Sequence, residues 1–246
     1  MADDLFDPHL QWLRRNRAER QGFRTFLHER AIDDLLDRLV YVQRRFRNAL
    51  VVGCPPGPLR DQLGRCAGRL RFADRVENAG TESLGQFDLC IIVGVLDTAN
   101  DVQLTLRLLG AMLQPDALLL GAFAGNDSFP VLRAAMLAAD QATGLGASPR
   151  VHPRIDAASV ASLLQAAGFV MPVIDIDRVR LRYRRLTDLV ADLRGMGATN
   201  ALVRRSRTPL TRTALAAAAS AFDAAGDGSA TTETVELVHF AAWTPR

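Results

Sequence analysis

Apolar and polar positions alternate along the chain with two different rhythms. From about Leu5 to Phe46, Leu10, Leu13, Ala31, Leu35, Leu39 and Val42 recur at helical spacing with arginines and acids between them, which predicts a helical lead-in. Ala49–Gly53 reads ALVVG, a short apolar run closed by glycine, as in a strand buried on both faces. Pro58–Gly68 has the texture of a helix and Arg69–Asp74, RLRFAD, that of a second strand. Phe87–Leu96, FDLCIIVGVL, is the strongest strand of the series. Asp101–Leu113 reads as a helix, Gln114–Asp116 as a turn and Ala117–Phe123 as a further strand.

The second half continues with an alanine-rich helix over Phe129–Thr143, a Gly/Pro loop, and a helix over Asp156–Gly168 that Asp156 caps and Gly168 stops. Val170–Tyr183 alternates as a strand. Leu186–Leu193 and Thr211–Ala225 read as helices, and Thr234–Trp243 as a terminal strand. Strands alternating with helices imply βαβ units and a parallel sheet, so the fold class is α/β. We expect one domain over residues 1–246: a helical lead-in at 1–47, a Rossmann-like core at 48–125, and a C-terminal half at 126–246 with a helical cap near 187–225.

In sheets of this class, ligands sit outside the carboxyl ends of the strands. Gly53 follows the first strand there, with Cys54, Pro55, Pro56 and Gly57 completing a loop. Glycine lets the main chain take positive φ and pass close to a ligand. An acid at the end of the second strand accepts hydrogen bonds from ribose hydroxyls, and Asp74 stands in that place. Taken alone, a glycine-rich loop is also compatible with an ordinary strand-to-helix turn.

The order of these segments resembles a class I S-adenosylmethionine-dependent methyltransferase. A tighter resemblance rests on LFDPHLQWLRRNRAER, GAFAGNDSFPVLRAAM, SPRVHPRIDAASVASLLQAAGF and DLRGMGATNAL. These blocks resemble the methyltransferase-like family of mitochondrial complex I assembly factors and its bacterial relatives, next to the malonyl-acyl-carrier-protein O-methyltransferases. The resemblance covers nearly the whole chain. It implies S-adenosylmethionine as cofactor, with Gly53, Cys54, Pro55, Gly57, Asp74, Val93, Gly94 and Val95 around it. It places Asp127, Arg133, Arg194 and Asn200 in family-specific blocks, as candidate substrate or cap contacts; helix packing and capping is the alternative for each.

Three departures from the family pattern carry physical content. The family loop reads L-D-L-G-C-G-x-G; here Val51 replaces the acid and Pro55 the middle glycine. Val51 accepts no hydrogen bond, and proline fixes φ near −65° without an N–H. Asp74 lies only thirteen residues before Phe87, so a strand–helix step is missing. RLRFAD is then the second or the third strand of the family, and Asp74 its ribose or its adenine acid. Finally, S-L-x-L-H-W-V-N-D becomes Val93–Asp101, without the histidine and tryptophan.

Composition narrows the function further. The 246 residues are 48% hydrophobic and 23% charged, an ordinary globular mixture. No apolar run reaches the ~20 residues of a membrane span, and the acidic N-terminus shows no secretory signal. Three cysteines without a C-x-x-C spacing point to reduced thiols in the cytoplasm. Four histidines share no metal-ligand spacing, and no G-x-S-x-G elbow is present. A net charge of +3 gives no argument for nucleic acid. Arg178–Arg212 holds ten arginines and two acids, which suits an acidic protein or acyl-carrier partner as well as a solvated face.

Two functions of different class follow. One is a methyltransferase acting on a protein or carrier-bound acceptor, malonyl-acyl-carrier protein among them. The other is a catalytically silent assembly factor that keeps the fold. Arginine hydroxylation, which the resemblance also implies, ranks below both, because the sequence offers no iron-ligand pattern. Methyl transfer needs no named catalytic base, since the sulfonium is already activated and positioning supplies most of the rate.

Overall fold

The computed structural model describes residues 4–55, 57–144 and 146–246. Pro56 of the loop lies outside the described residues. The elements in chain order are α1 (Pro8–Arg20), α2 (Phe26–Val42), β1 (Phe46–Val52), α3 (Pro58–Leu63), β2 (Ala67–Ala73), β3 (Phe87–Val93) and α4 (Val102–Met112). There follow β4 (Leu113–Ala124), α5 (Pro130–Thr143), α6 (Ala157–Ala166), β5 (Val170–Tyr183), α7 (Leu186–Gly195), α8 (Arg212–Ala224) and β6 (Thr231–Trp243).

The six strands form one sheet in the order β2-β1-β3-β4-β6-β5. β1 pairs in parallel with both β2 and β3, and β3 with β4, while β6 runs antiparallel to β4. The strand order places RLRFAD directly beside β1, at the edge of the sheet. Of the two alternatives for this segment, it therefore holds the second-strand position, and the absent step is the one that would lie beyond it.

By contacts the chain groups into two units. The first comprises residues 25–126, 154–177 and 237–246. Its core is built on β1 and β3, every residue of β3 being buried. Leu50, Val52, Ile92, Leu106, Leu109 and Phe240 are among its fully enclosed side chains. β3 is apolar throughout except for Asp88, which has a specific task. Its carboxylate accepts hydrogen bonds from Arg47 N at 2.7 Å and Asn48 N at 2.9 Å. It thus satisfies β1 donors at the start of the ladder with β3, whose register begins at Ala49 and Leu89. The expected turn at Gln114–Asp116 is an irregularity inside β4: the register slips between Phe87 and Leu89, and Asp116 takes a left-handed φ of 57°.

The second unit comprises the chain up to Arg24, residues 127–153 and residues 178–236. It packs α5 against α8 and α1 against α7. Asp7 caps α1 by accepting from Leu10 N at 2.9 Å, with Pro8 in the first helical position. The N-terminal helical lead-in expected from the sequence consists of two helices. α1 ends at Arg20, followed by Gly22 with φ +78°, and α2 starts anew at Phe26. At α5 the residue before Pro130, Phe129, offers no capping oxygen. Glu233, fully buried, replaces one by accepting from Val131 N and Leu132 N.

Candidate functional site

The carboxyl ends of β1, β2 and β3 converge in the first unit. Gly53 N continues the β1–β2 ladder to Ala73 O at 2.9 Å, and Gly94 N continues β3 onto Ala122 O at 2.8 Å. The chain then breaks away into loops at both places. Gly53 has φ +84°, and a side chain there would collide with Val93 O and Val95 Cγ2. Its close approach is therefore to the chain's own β3 end. Gly57, with φ +98°, faces open space, and Gly94 is exposed. These two mark the open side of the loop. Pro55 is buried, and the Cys54 thiol is buried and donates to Pro55 O at 3.3 Å. Cys54 thus serves the turn itself.

Asp74 follows the last residue of β2. Its side chain is 53% exposed, so the carboxylate reaches solvent at the strand end beside the loop. Val51, at the position of the family's loop acid, is fully buried between Phe72 of β2 and Ile91 of β3. No rotation of an apolar side chain there supplies the missing acceptor.

Several polar residues at this edge were not singled out from the sequence. Arg60 of α3 lies over the Phe72 ring at 4.8 Å, donates from Nη2 to Cys54 O at 3.3 Å, and stands 3.9 Å from Asp74 Oδ1. His28 of α2 reaches the β3 end: its Nε2 lies 3.7 Å from where a Cβ on Gly94 would be. Asp97, in a turn of 3-10 helix after β3, forms a buried ion pair with Arg154 at 2.6 Å, both side chains less than a tenth exposed. Arg154 Nη1 also reaches Ala124 O, at the end of β4. Asp97 Oδ1 is buried without a hydrogen-bond partner. Burial raises the Asp97 carboxyl pKa above its ordinary value, and Arg154 opposes that rise. Asp97 had a visible signal, a carboxylate directly after the apolar run VGVL. Arg60, His28 and Arg154 had none, because their partners lie on other elements.

The four candidate substrate or cap residues all belong to the second unit. Asp127 is exposed and lies 3.7 Å from Arg178 Nη2. Arg133 is exposed on α5, and Arg194 is exposed in the last turn of α7. Asn200 is engaged on both sides: Nδ2 donates to Pro149 O at 2.7 Å, and Oδ1 accepts from Leu202 N at 3.0 Å. Nearby, His152 Nε2 accepts from Ala201 N at 2.8 Å, its ring edge-on to Phe6 at 5.1 Å. The end of the DLRGMGATNAL block thus holds the Pro149–Pro153 segment in place.

A cavity of about 440 Å³, lined among others by Arg107, Gln114, Phe169 and Thr244, opens where β4 begins. It lies at the amino end of the parallel strands, away from Gly53 and Asp74. Among the described residues no group of three His, Cys, Asp or Glu side chains is placed to hold a metal ion.

The fold is the Rossmann-like sheet of class I methyltransferases. It matches a solved Bacillus halodurans protein described as a candidate methyltransferase with a TM-score of 0.53, at 11% identity, over 86% of this chain and 99% of that one. The chain is also similar in sequence to curated proteins, methyltransferases among them. It is 29% identical over 240 residues to the human mitochondrial arginine-hydroxylase NDUFAF5, covering 88% of this chain and 70% of that protein. It is 33% identical over 134 residues to a malonyl-[acyl-carrier protein] O-methyltransferase of Laribacter hongkongensis, covering 54% of this chain and 43% of that protein. No family model matches the chain.

Proposed function

We propose that the chain binds S-adenosylmethionine at the carboxyl edge of β1–β3 and transfers its methyl group to a protein or carrier-bound acceptor. One observation carries this reading: Asp74 presents an accessible carboxylate at the end of the strand beside β1, next to a loop whose two glycines both take positive φ. In this role Asp74 reads the ribose, and the backbone at Gly53–Pro55 and at Gly57 borders the methionine side of the cofactor. Gly94 and Val95 border its far side. The cofactor supplies an activated methyl group; the chain supplies position and exclusion of water.

An acidic acceptor is favoured by the second half of β5 and the residue after it, where Arg178, Arg180, Arg182 and Arg184 are all exposed at every second residue. Malonyl-acyl-carrier protein is one such acceptor. Asp127, Arg133 and Arg194 are the exposed residues of the family-specific blocks that substrate contacts would use. A cytoplasmic location, the compartment in which thiols stay reduced, goes with this reading. No helix among the described residues is long and apolar enough to cross a membrane.

Titration with S-adenosylmethionine tests the assignment. At one hundred times its dissociation constant the ligand adds about 2.7 kcal/mol of stability, a rise in melting temperature of roughly 5–10 °C. Asp74→Asn should remove most of that rise. Absence of any shift or binding heat at millimolar ligand ends the enzyme reading. The second reading, a catalytically silent assembly factor, then takes its place; buried Val51 and the edge position of β2 favour it.

A further inference from the structure

The carboxylate assigned to the ribose already has a neighbour of opposite charge. Arg60 is the third residue of α3, and its side chain turns back across the outer strand. One nitrogen, Nη2, lies 3.3 Å from Cys54 O and 3.9 Å from Asp74 Oδ1. It therefore stands in the gap between the loop and the strand end. The guanidinium covers the Phe72 ring at 4.8 Å, two residues before Asp74 on β2. Its Nε–H is buried and has no hydrogen-bond partner.

Each of these contacts is individually weak. The hydrogen bond is long, the ion pair is at the limit of contact, and the cation–π contact lies at a half-exposed site. An arginine placed only to tie the loop down would not leave one donor buried and unsatisfied, because that arrangement costs more than exposing it. Swinging outward, the same side chain would hydrate every N–H. The position is thus occupied but cheaply vacated, and it is the position a nucleoside must enter to bring hydroxyls to Asp74.

Building on the nucleoside site proposed above, we propose that Arg60 is a specificity-determining residue that competes with the ligand for Asp74. With no ligand bound, Arg60 is the counter-ion of the carboxylate. A ligand whose paired hydroxyls satisfy Asp74 displaces the guanidinium from the gap and from Phe72. A ligand without such a diol cannot replace both contacts and is refused. The site therefore selects on the ribose, at a cost in affinity to every nucleoside.

Calorimetric titration with adenosine, 2′-deoxyadenosine and S-adenosylhomocysteine tests this. Arg60→Met keeps the length and apolar contact of the side chain and removes its charge and donors. It should bind adenosine about tenfold more tightly than the parent and lose much of the preference for adenosine over 2′-deoxyadenosine. Arg60→Lys, which keeps the charge but not the fork, should fall between the two. In an Asp74→Asn background the gain from Arg60→Met should vanish. Unchanged or weaker adenosine binding in Arg60→Met, with the parent binding normally, overturns the competition while leaving the nucleoside site intact. Failure of all three ligands to bind any of the folded variants overturns the site and the competition together.

Discussion

Asp140 and Asp97 are both buried carboxylates held by one arginine, yet their surroundings differ in one respect. Asp140, on α5, uses both oxygens: Oδ1 takes Arg150 Nε at 2.6 Å and Oδ2 takes Ser148 N at 2.7 Å. Asp97, at the carboxyl edge of the sheet, uses only one, Oδ2 to Arg154 at 2.6 Å, and Oδ1 is left without a hydrogen-bond partner. A fully engaged buried pair fixes a loop to a helix. A half-engaged one keeps an acceptor in reserve and destabilises the fold while it does so. Completeness of hydrogen bonding, rather than burial or pairing, distinguishes a fastening from a waiting contact.

The largest test of this contrast is Asp140→Ala. It strands the Arg150 charge and the Ser148 N–H together, and should cost about 3–5 kcal/mol, lowering the melting temperature by roughly 10 °C. A drop under about 2 °C would make the two pairs equivalent. Next is replacement of each pair by apolar residues. Asp97→Leu with Arg154→Met should leave stability within about 1 kcal/mol of the parent or raise it, because an unsatisfied charge is removed. Asp140→Leu with Arg150→Met should still lose about 2 kcal/mol in a denaturant melt, since the Ser148 N–H stays buried without its acceptor.

The smallest effect concerns a third aspartate, Asp34 of α2. Its Oδ2 lies 2.9 Å from Nδ1 of buried His239, an approach that lacks hydrogen-bond alignment. Burial lowers the His239 pKa, and Asp34 only partly opposes this. The folded state therefore binds the proton less readily than the unfolded chain. His239 thus contributes stability above the unfolded value near 6.5 and loses it as pH falls below that. The expected loss is roughly 1 kcal/mol per pH unit, and His239→Gln should flatten the melting profile between pH 7 and 5.5. Asp97 works in the opposite direction. Its raised carboxyl pKa gives stability at acid pH that is lost as pH rises through the folded value. An unchanged profile in His239→Gln would remove the histidine from the account.

What the sequence made legible follows from the range of the interactions. ALVVG, FDLCIIV and the acid after RLRFA are local signals: an apolar run with a glycine or a charge at its end. The strands, the loop and Asp74 were readable from them. The identity of RLRFAD as second or third strand was not, because strand order is a property of the sheet; pairing of β2 with β1 decides it. Arg60, His28 and Arg154 were hidden for a related reason. Arginine is frequent everywhere in this chain, and the partner that gives one of them meaning can lie 57 positions away, as Asp97 does from Arg154.

The outermost strand has a further consequence that concerns crowding rather than ligands. With no strand beyond it in the sheet among the described residues, β2 offers an edge to other chains. Arg69 and Arg71 lie within that border strand, and Arg65 stands two residues before it. Two copies meeting edge to edge would bring these like charges together. The same arginines that give the segment its plain, solvated look in the sequence therefore disfavour edge-to-edge growth along that border.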